Sequence, residues 1–251
     1  MKQMFYYLLF MPLLCLGFAG SIHPSPEPGS LKIIIDPVFG KYPLILSNRP
    51  YVSGSGDTVF IDLFRFYMSG LKLKGIDNKV VTESESYHLI DARANVNLSF
   101  TFKNIPEGTY SALNFILGVD SLANVSGAMS GDLDPAKAMY WAWNTGYIMA
   151  KLEGHSPACP ALHHAFEFHI GGYLPPYQTA RKISLAIPSL KIEGGKERII
   201  HIKADAAEWF ISPSVVRLHE INSVTIPGKQ ACRIADNYSD MFSIQEGAGW
   251  E

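Results

Sequence analysis

The chain has 251 residues, 47% of them hydrophobic and 18% charged. That is enough apolar surface for a sizeable core, and too much for a disordered segment. The formal net charge is −2 and no basic run or aromatic–basic stripe accompanies it, so nothing points to nucleic acid or an anionic membrane surface as partner.

Residues 1–19 read as a signal peptide. Lys2 is the positive start, Phe5–Phe18 is almost wholly apolar, and Gly17-Phe18-Ala19 offers small residues around a cut after Ala19. The run falls short of the roughly 20 residues needed to span a bilayer, and Pro12 interrupts it. No transmembrane segment is expected once the leader is gone. Lipid attachment at Cys15 is the competing reading, although Leu14 is bulky where a small residue is wanted. Residues 20–30, with Pro24, Pro26, Pro28 and Gly29, read as a Pro-rich linker.

From 31 to 245 the dominant period is two, and one domain is expected. Leu31–Asp36 opens it as a strand. Thr58–Leu73 alternates through Phe60, Phe64, Phe66 and Met68 until Ser69-Gly70, where a bulge would fit. In Asn95–Lys103 the side chains of Val96, Leu98, Phe100 and Phe102 share one face, and Tyr110–Val119 is the next strand candidate. Asp120–Ala138 is rich in turn formers and reads as a long central loop. Strands resume at Gly146–Leu152, Ala165–Ile170, Lys182–Ile187 and Arg198–Ala204, with short helices expected near Pro213–Glu220 and Ala235–Phe242. The fold class is therefore all-β, an antiparallel two-sheet sandwich with a long central loop and at most short helices.

No nucleophile–base pair, P-loop, H-E-x-x-H or dinucleotide fingerprint is present, so the expectation is a non-enzyme. Asp120, Asn124, Asp132 and Asp134 could supply oxygen ligands to calcium, but they match no EF-hand spacing and are also ordinary turn residues. His155, His163, His164 and His169 fall within fifteen residues, together with Cys159. Imidazole suits copper, zinc and nickel. On Ala165–Ile170, period two puts Phe166, Phe168 and Ile170 on one face and Glu167 and His169 on the other, so His169 is the best ligand candidate. Met139–Asn144 places Trp141 and Trp143 two residues apart, on one face if extended, either as packed core or beside a metal. Cys159 and Cys232 remain after leader removal, either paired in an oxidising compartment or as two buried thiols.

An ordered set of stretches resembles the MbnP-like family, named from a copper-binding protein encoded with methanobactin genes. These are Gly118-Val119-Asp120-Ser121, Gly131-Asp132-Leu133-Asp134-Pro135, Met139–Ile148, Lys151-Leu152-Glu153-Gly154 and Phe168-His169-Ile170-Gly171-Gly172. Tyr87–Asp91 and Ala235–Phe242 support them. The resemblance implies a periplasmic, surface or secreted β-sandwich and, in some members, copper held through histidine. It also implies that a tryptophan can be oxidised to kynurenine by a di-haem partner of the MauG type. Carried over, His169, His88 and His164 become the metal-ligand candidates and Trp141 and Trp143 the cofactor-site candidates. A branch of the family carries four cysteines where the mature chain here keeps two. The rival expectation is an exported structural or adhesion module binding a peptide or glycan.

Overall fold

The computed structural model describes residues 27–93, 98–143 and 146–245; the leader and most of the Pro-rich linker lie outside them. In chain order the strands are β1 (Gly29–Phe39), β2 (Tyr42–Pro43), β3 (Tyr51–Val52), β4 (Thr58–Gly75), β5 (Val80–Thr82), β6 (Tyr87–Asp91), β7 (Ser99–Ile105) and β8 (Gly108–Leu117). After helix α1 (Ser121–Ser126) come β9 (Tyr140–Trp141), β10 (Gly146–His155), β11 (Ala165–Gly171), β12 (Arg181–Ile192), β13 (Glu197–Asp205) and β14 (Ser223–Val224). Helix α2 (Lys229–Tyr238) and β15 (Phe242–Ile244) follow.

Two sheets face each other. The smaller runs β15-β13-β1-β2 with β7 also on β1; the larger runs β12-β8-β4-β10-β11-β14. Leu31, Ile33, Ile35, Phe102, Ile200 and Ile202 of the small sheet meet Phe64, Phe66, Leu113, Phe115, Leu152 and Phe168 of the large one in a single core. The all-β sandwich is therefore observed, and its only helices among the described residues are short. Two pairings depart from antiparallel order: β1 and β13 run parallel from Ser30↔Glu197 to Val38↔Asp205, and β11 pairs parallel with the short β14 at Glu167↔Ser223 and Phe168↔Val224.

β4 is the spine of the large sheet, and it shifts phase twice. Against β10 its register jumps between Leu63 and Ile61, so Val59 and Ile61 point inward, and so do Phe64, Phe66 and Met68 beyond the jump. The unbroken alternation from Phe60 is corrected accordingly: Phe60 lies outside the core and stacks on His155 at 4.7 Å. The second shift is the expected one, at Ser69/Lys72, where Gly70 takes φ +60, a conformation glycine adopts without penalty.

Near the C-terminus, Pro213–Glu220 forms turns instead of the expected short helix, and a 3₁₀ turn lies earlier, at Ala206–Phe210. The second helix also begins earlier than expected. Its buried residues Ala231, Ile234, Ala235 and Tyr238 recur at helical spacing, while Phe242–Ile244 pairs with β13 as a strand. Cys159 and Cys232 are both free thiols; Cys159 donates to Ala165 O and Cys232 to Gln178 O.

The long segment after β8 forms a second layer on the outer face of the large sheet. Leu133, Met139 and Trp141 pack there against Tyr67, Leu89, Tyr147 and Met149. Phe64–Ser69 is consequently buried without interruption, as expected of a strand covered on both faces.

Candidate functional site

The oxygen-rich side chains named as calcium-ligand candidates are occupied in pinning this outer layer. Asp120 caps α1 through Leu122 N and Ala123 N and accepts from Tyr87 Oη at 2.5 Å. Asn124 Oδ1 accepts from Tyr147 N, and Asp134 caps the turn at Ala136 N. Asp132 accepts from Leu89 N and pairs with Lys137. Each acts as a local cap or tie, so the calcium reading is withdrawn.

His169 points outward from β11, as period two requires, with Phe166, Phe168 and Ile170 buried behind it. Residues directly opposite on paired strands share a face, and the registers His169↔Lys151, Lys151↔Arg65 and Arg65↔Asp91 set out one polar row across β11, β10, β4 and β6. Glu153 and Glu167 face each other in the next row outward. On the other side, the segment 120–143 closes over the sheet. It meets this face at two points: Arg65 Nη1 donates to Lys137 O at 2.7 Å, and the Trp141 ring lies over Gly171. A Cβ on Gly171 would come within 2.6 Å of the Trp141 ring, so the glycine creates the seat for that indole.

His169 Nε2 lies 2.7 Å from Glu153 Oε1. This bond holds the Glu153 carboxyl below its ordinary value, against burial and with help from Lys151 and Arg93. A carboxylate only accepts, so neutral His169 carries its proton on Nε2 and leaves the Nδ1 lone pair for another ligand. Arg93 grips Asp91 with Nε at 3.1 Å and Nη2 at 2.9 Å. Burial pushes the Asp91 carboxyl up, but the bonds from Arg93 and the charges of Arg65 and Arg93 outweigh it and hold it below the usual range.

Trp141 and Trp143 are in contact, with ring centroids 5.4 Å apart and planes tilted by 40°. Only Tyr140–Trp141 is extended, and the chain then turns. Trp141 is 7% exposed and Trp143 64%, so one indole is packed and the other is open to solvent. Asn144 lies outside the described residues.

The three histidine candidates do not converge. His88 opposes Met68 on β4, and the adjacent pair Phe66↔Ile90 is core. Its ring therefore lies on the inner side of the large sheet, stacked on Phe100 at 3.8 Å and bonded to Glu83 at 2.8 Å. The sheet itself separates it from His169. His164 sits five residues before His169, in the 3₁₀ turn Leu162–His164 that precedes β11, with Nδ1 2.9 Å from Cys159 O. His155 is taken by Asp62 at 2.9 Å. Among the described residues no three His, Cys, Asp or Glu side chains group as a metal site. What the structure sets beside His169 is the Glu153 carboxylate, with the Trp141 ring seated over Gly171 two residues further along β11. Imidazole suits copper as a first ligand, but one such group does not by itself close a four-ligand zinc site.

Lys151, Glu153, Arg65 and Asp91 had no role assigned from sequence. The signal was present for the first two: the same alternation that turns His169 outward turns Lys151 and Glu153 outward from Ala150 and Leu152.

The MbnP family model matches residues 28–231. The chain belongs to the MbnP family. A solved structure, MbnP from Methylosinus trichosporium, aligns with 82% of this chain and 82% of that one at 15% identity and a TM-score of 0.48. Comparison with curated proteins returns no match. Among the described residues no helix is long and apolar enough to cross a membrane.

Proposed function

We propose that this MbnP-family chain is an exported, non-enzymatic copper-handling protein that works in the periplasm or at the cell surface, with His169 as its anchoring ligand. The observation that carries the reading is the His169–Glu153 pair. A carboxylate behind an imidazole fixes the tautomer and raises the basicity of the free nitrogen, and here that nitrogen belongs to a residue beside the seat of Trp141. A di-haem partner of the MauG type would act on one of the two indoles, and Trp143, 64% exposed, is the one a partner could reach. Family membership supports the reading, since copper binding through histidine is what the resemblance implies.

The test is elemental analysis of protein purified from its native host, beside the His169→Ala variant. Copper retained by the wild type and lost by the variant supports the proposal. Equal copper in both, or none in either, rejects it. The second outcome would favour an exported adhesion module, a reading supported by the exposed apolar side chains Trp143, Leu122 and Val125 on and around the outer layer.

A further inference from the structure

We propose that the uncovered half of the large sheet's outer face binds an acidic polysaccharide, a chain of sugar rings bearing carboxylates, in a trough centred on Lys182. Beyond the 120–143 layer the outward side chains come from β5, β4, β8 and β12. Strand pairing sets Lys72, Asn114 and Ser184 in one row, with Lys74 in the row on one side and Ile116 and Lys182 in the row on the other. On a chain whose net charge is −2, the outward positions of these rows hold three lysines and no acid. The ion pairs at their margins are Lys79 with Asp77 and Arg181 with Asp236. Lys72, Lys74 and Lys182 join none among the described residues. Free charge of one sign along a recessed surface draws in the opposite sign.

The bulge in β4 supplies the recess. Gly70, at φ +60, has no side chain to lie over Ile116, where a Cβ would come to 3.6 Å from Ile116 Cδ1. The result is a hollow of about 330 Å³ whose lining includes Lys72, Asn114, Lys182 and Ser184. A second hollow, of about 320 Å³, shares Ile116 and Lys182 with the first and continues past Ser121 to Tyr173. Its other charges are already engaged. Asp120 accepts from Tyr87 Oη and from the first turn of α1, and Arg181 is held twice by Asp236. Lys182 is thus the free charge common to both hollows. The backbone of Lys72 stands roughly 12 Å from it, two strand spacings across and two residues along. A lone carboxylate would fill a fraction of this space, whereas a chain of carboxylated rings running through both hollows meets both cations. Between the two lysines the side chains of Asn114 and Ser184 make no hydrogen bond among the described residues, and beyond them Ser121 makes none. Amide and hydroxyl groups both donate and accept, which matches the hydroxyls of a sugar chain. An acidic peptide would answer the lysines alone.

The experiment uses the full mature chain in chelator-treated buffer at constant ionic strength, with calorimetry as the readout. Oligogalacturonate is the probe. A malto-oligosaccharide of equal length supplies rings without charge, and hexaglutamate supplies charge without rings. Saturable binding of oligogalacturonate is expected, with none of the neutral sugar and with hexaglutamate at least tenfold weaker. Lys182→Gln should weaken oligogalacturonate about threefold to tenfold, the scale of one exposed charge-assisted contact, and Lys182→Glu should abolish its binding. Asn114→Ala should weaken oligogalacturonate while leaving any response to hexaglutamate unchanged. Lys182 is exposed, so its variants should keep the wild-type unfolding midpoint. Lys72→Glu repeats the test from another strand if they do not, and His169→Ala should leave the affinity intact. Equal or tighter binding of hexaglutamate would make the trough a seat for an acidic protein segment and overturn the proposal. Absence of oligogalacturonate binding, or binding that survives Lys182→Glu, would overturn it as well. Since no metal is present, those outcomes leave the copper reading standing.

Discussion

His169 and Glu153 sit diagonally across β11 and β10, and a 2.7 Å contact from imidazole Nε2 to carboxylate leaves Nδ1 as the only ring nitrogen with a free lone pair. If that nitrogen holds copper, Glu153→Gln should weaken copper binding about tenfold to a hundredfold, as losses behind a ligand usually do. His169→Ala should remove most of it. A competition titration against a copper chelator reads both, and an unaltered affinity in the glutamine variant would show that Glu153 does not orient the ligand.

Neighbouring residues on β11 should separate stability from binding. Phe168 is fully buried whereas His169 faces outward. Phe168→Ala should cost about 3–5 kcal/mol through the cavity it leaves, measured by denaturant unfolding. His169→Ala should change the unfolding midpoint little while acting on copper. The reverse pattern would mean that the β11 faces are misassigned.

Asp91 sets the acid sensitivity of the outer face. Its folded-state value lies below the ordinary one, so its contribution to stability is present above about pH 4, where the unfolded carboxyl is also ionised. That contribution disappears as pH falls through the depressed folded value. Asp91→Asn should lower stability at pH 7 by about 3–5 kcal/mol, because it leaves buried Arg65 facing a neutral partner. It should also flatten the acid limb of a stability-against-pH curve. A variant whose acid limb parallels the wild type would place the acid sensitivity elsewhere.

Mass analysis of protein taken from its native host checks maturation. The chain should begin at Gly20; a retained Met1 or a lipid on Cys15 would contradict cleavage after Ala19. The peptide spanning Trp141 and Trp143 should carry the change expected of kynurenine, one oxygen gained and one carbon lost. Trp209, fully buried in the sandwich core, should stay intact. Unmodified Trp141 and Trp143 in copper-loaded protein would exclude indole oxidation.

Period two made most of the strands legible, and it placed His169 correctly because nothing interrupts the alternation from Phe166 to Ile170. The same rule failed at Phe60, because the register shift between Ile61 and Leu63 reverses inside and outside and leaves no mark in composition. His88 came from the resemblance with no face assigned to it. A strand's own pattern gives its two faces but not which of them meets the core, and only the pairing Met68↔His88 decides it. The Arg65–Lys151–His169 row was not legible, since it joins β4 to the β10–β11 pair far along the chain. The parallel β1–β13 pairing was hidden likewise, since no local signal distinguishes it from an antiparallel one.

That pairing governs when the domain can close. Asp36 and His201, hydrogen-bonded across it, are 165 positions apart. β1 is the first long strand to emerge during synthesis, and it has to wait for β13 near the far end before its long parallel partner exists. Contacts this distant in sequence slow folding, because the closure entropy must be met before the pairing rewards it. A chain halted short of β13 would keep one edge of β1 open along nearly its whole length. Such an edge is ready to pair with another chain, so truncation before Glu197 should yield aggregation instead of a smaller folded domain.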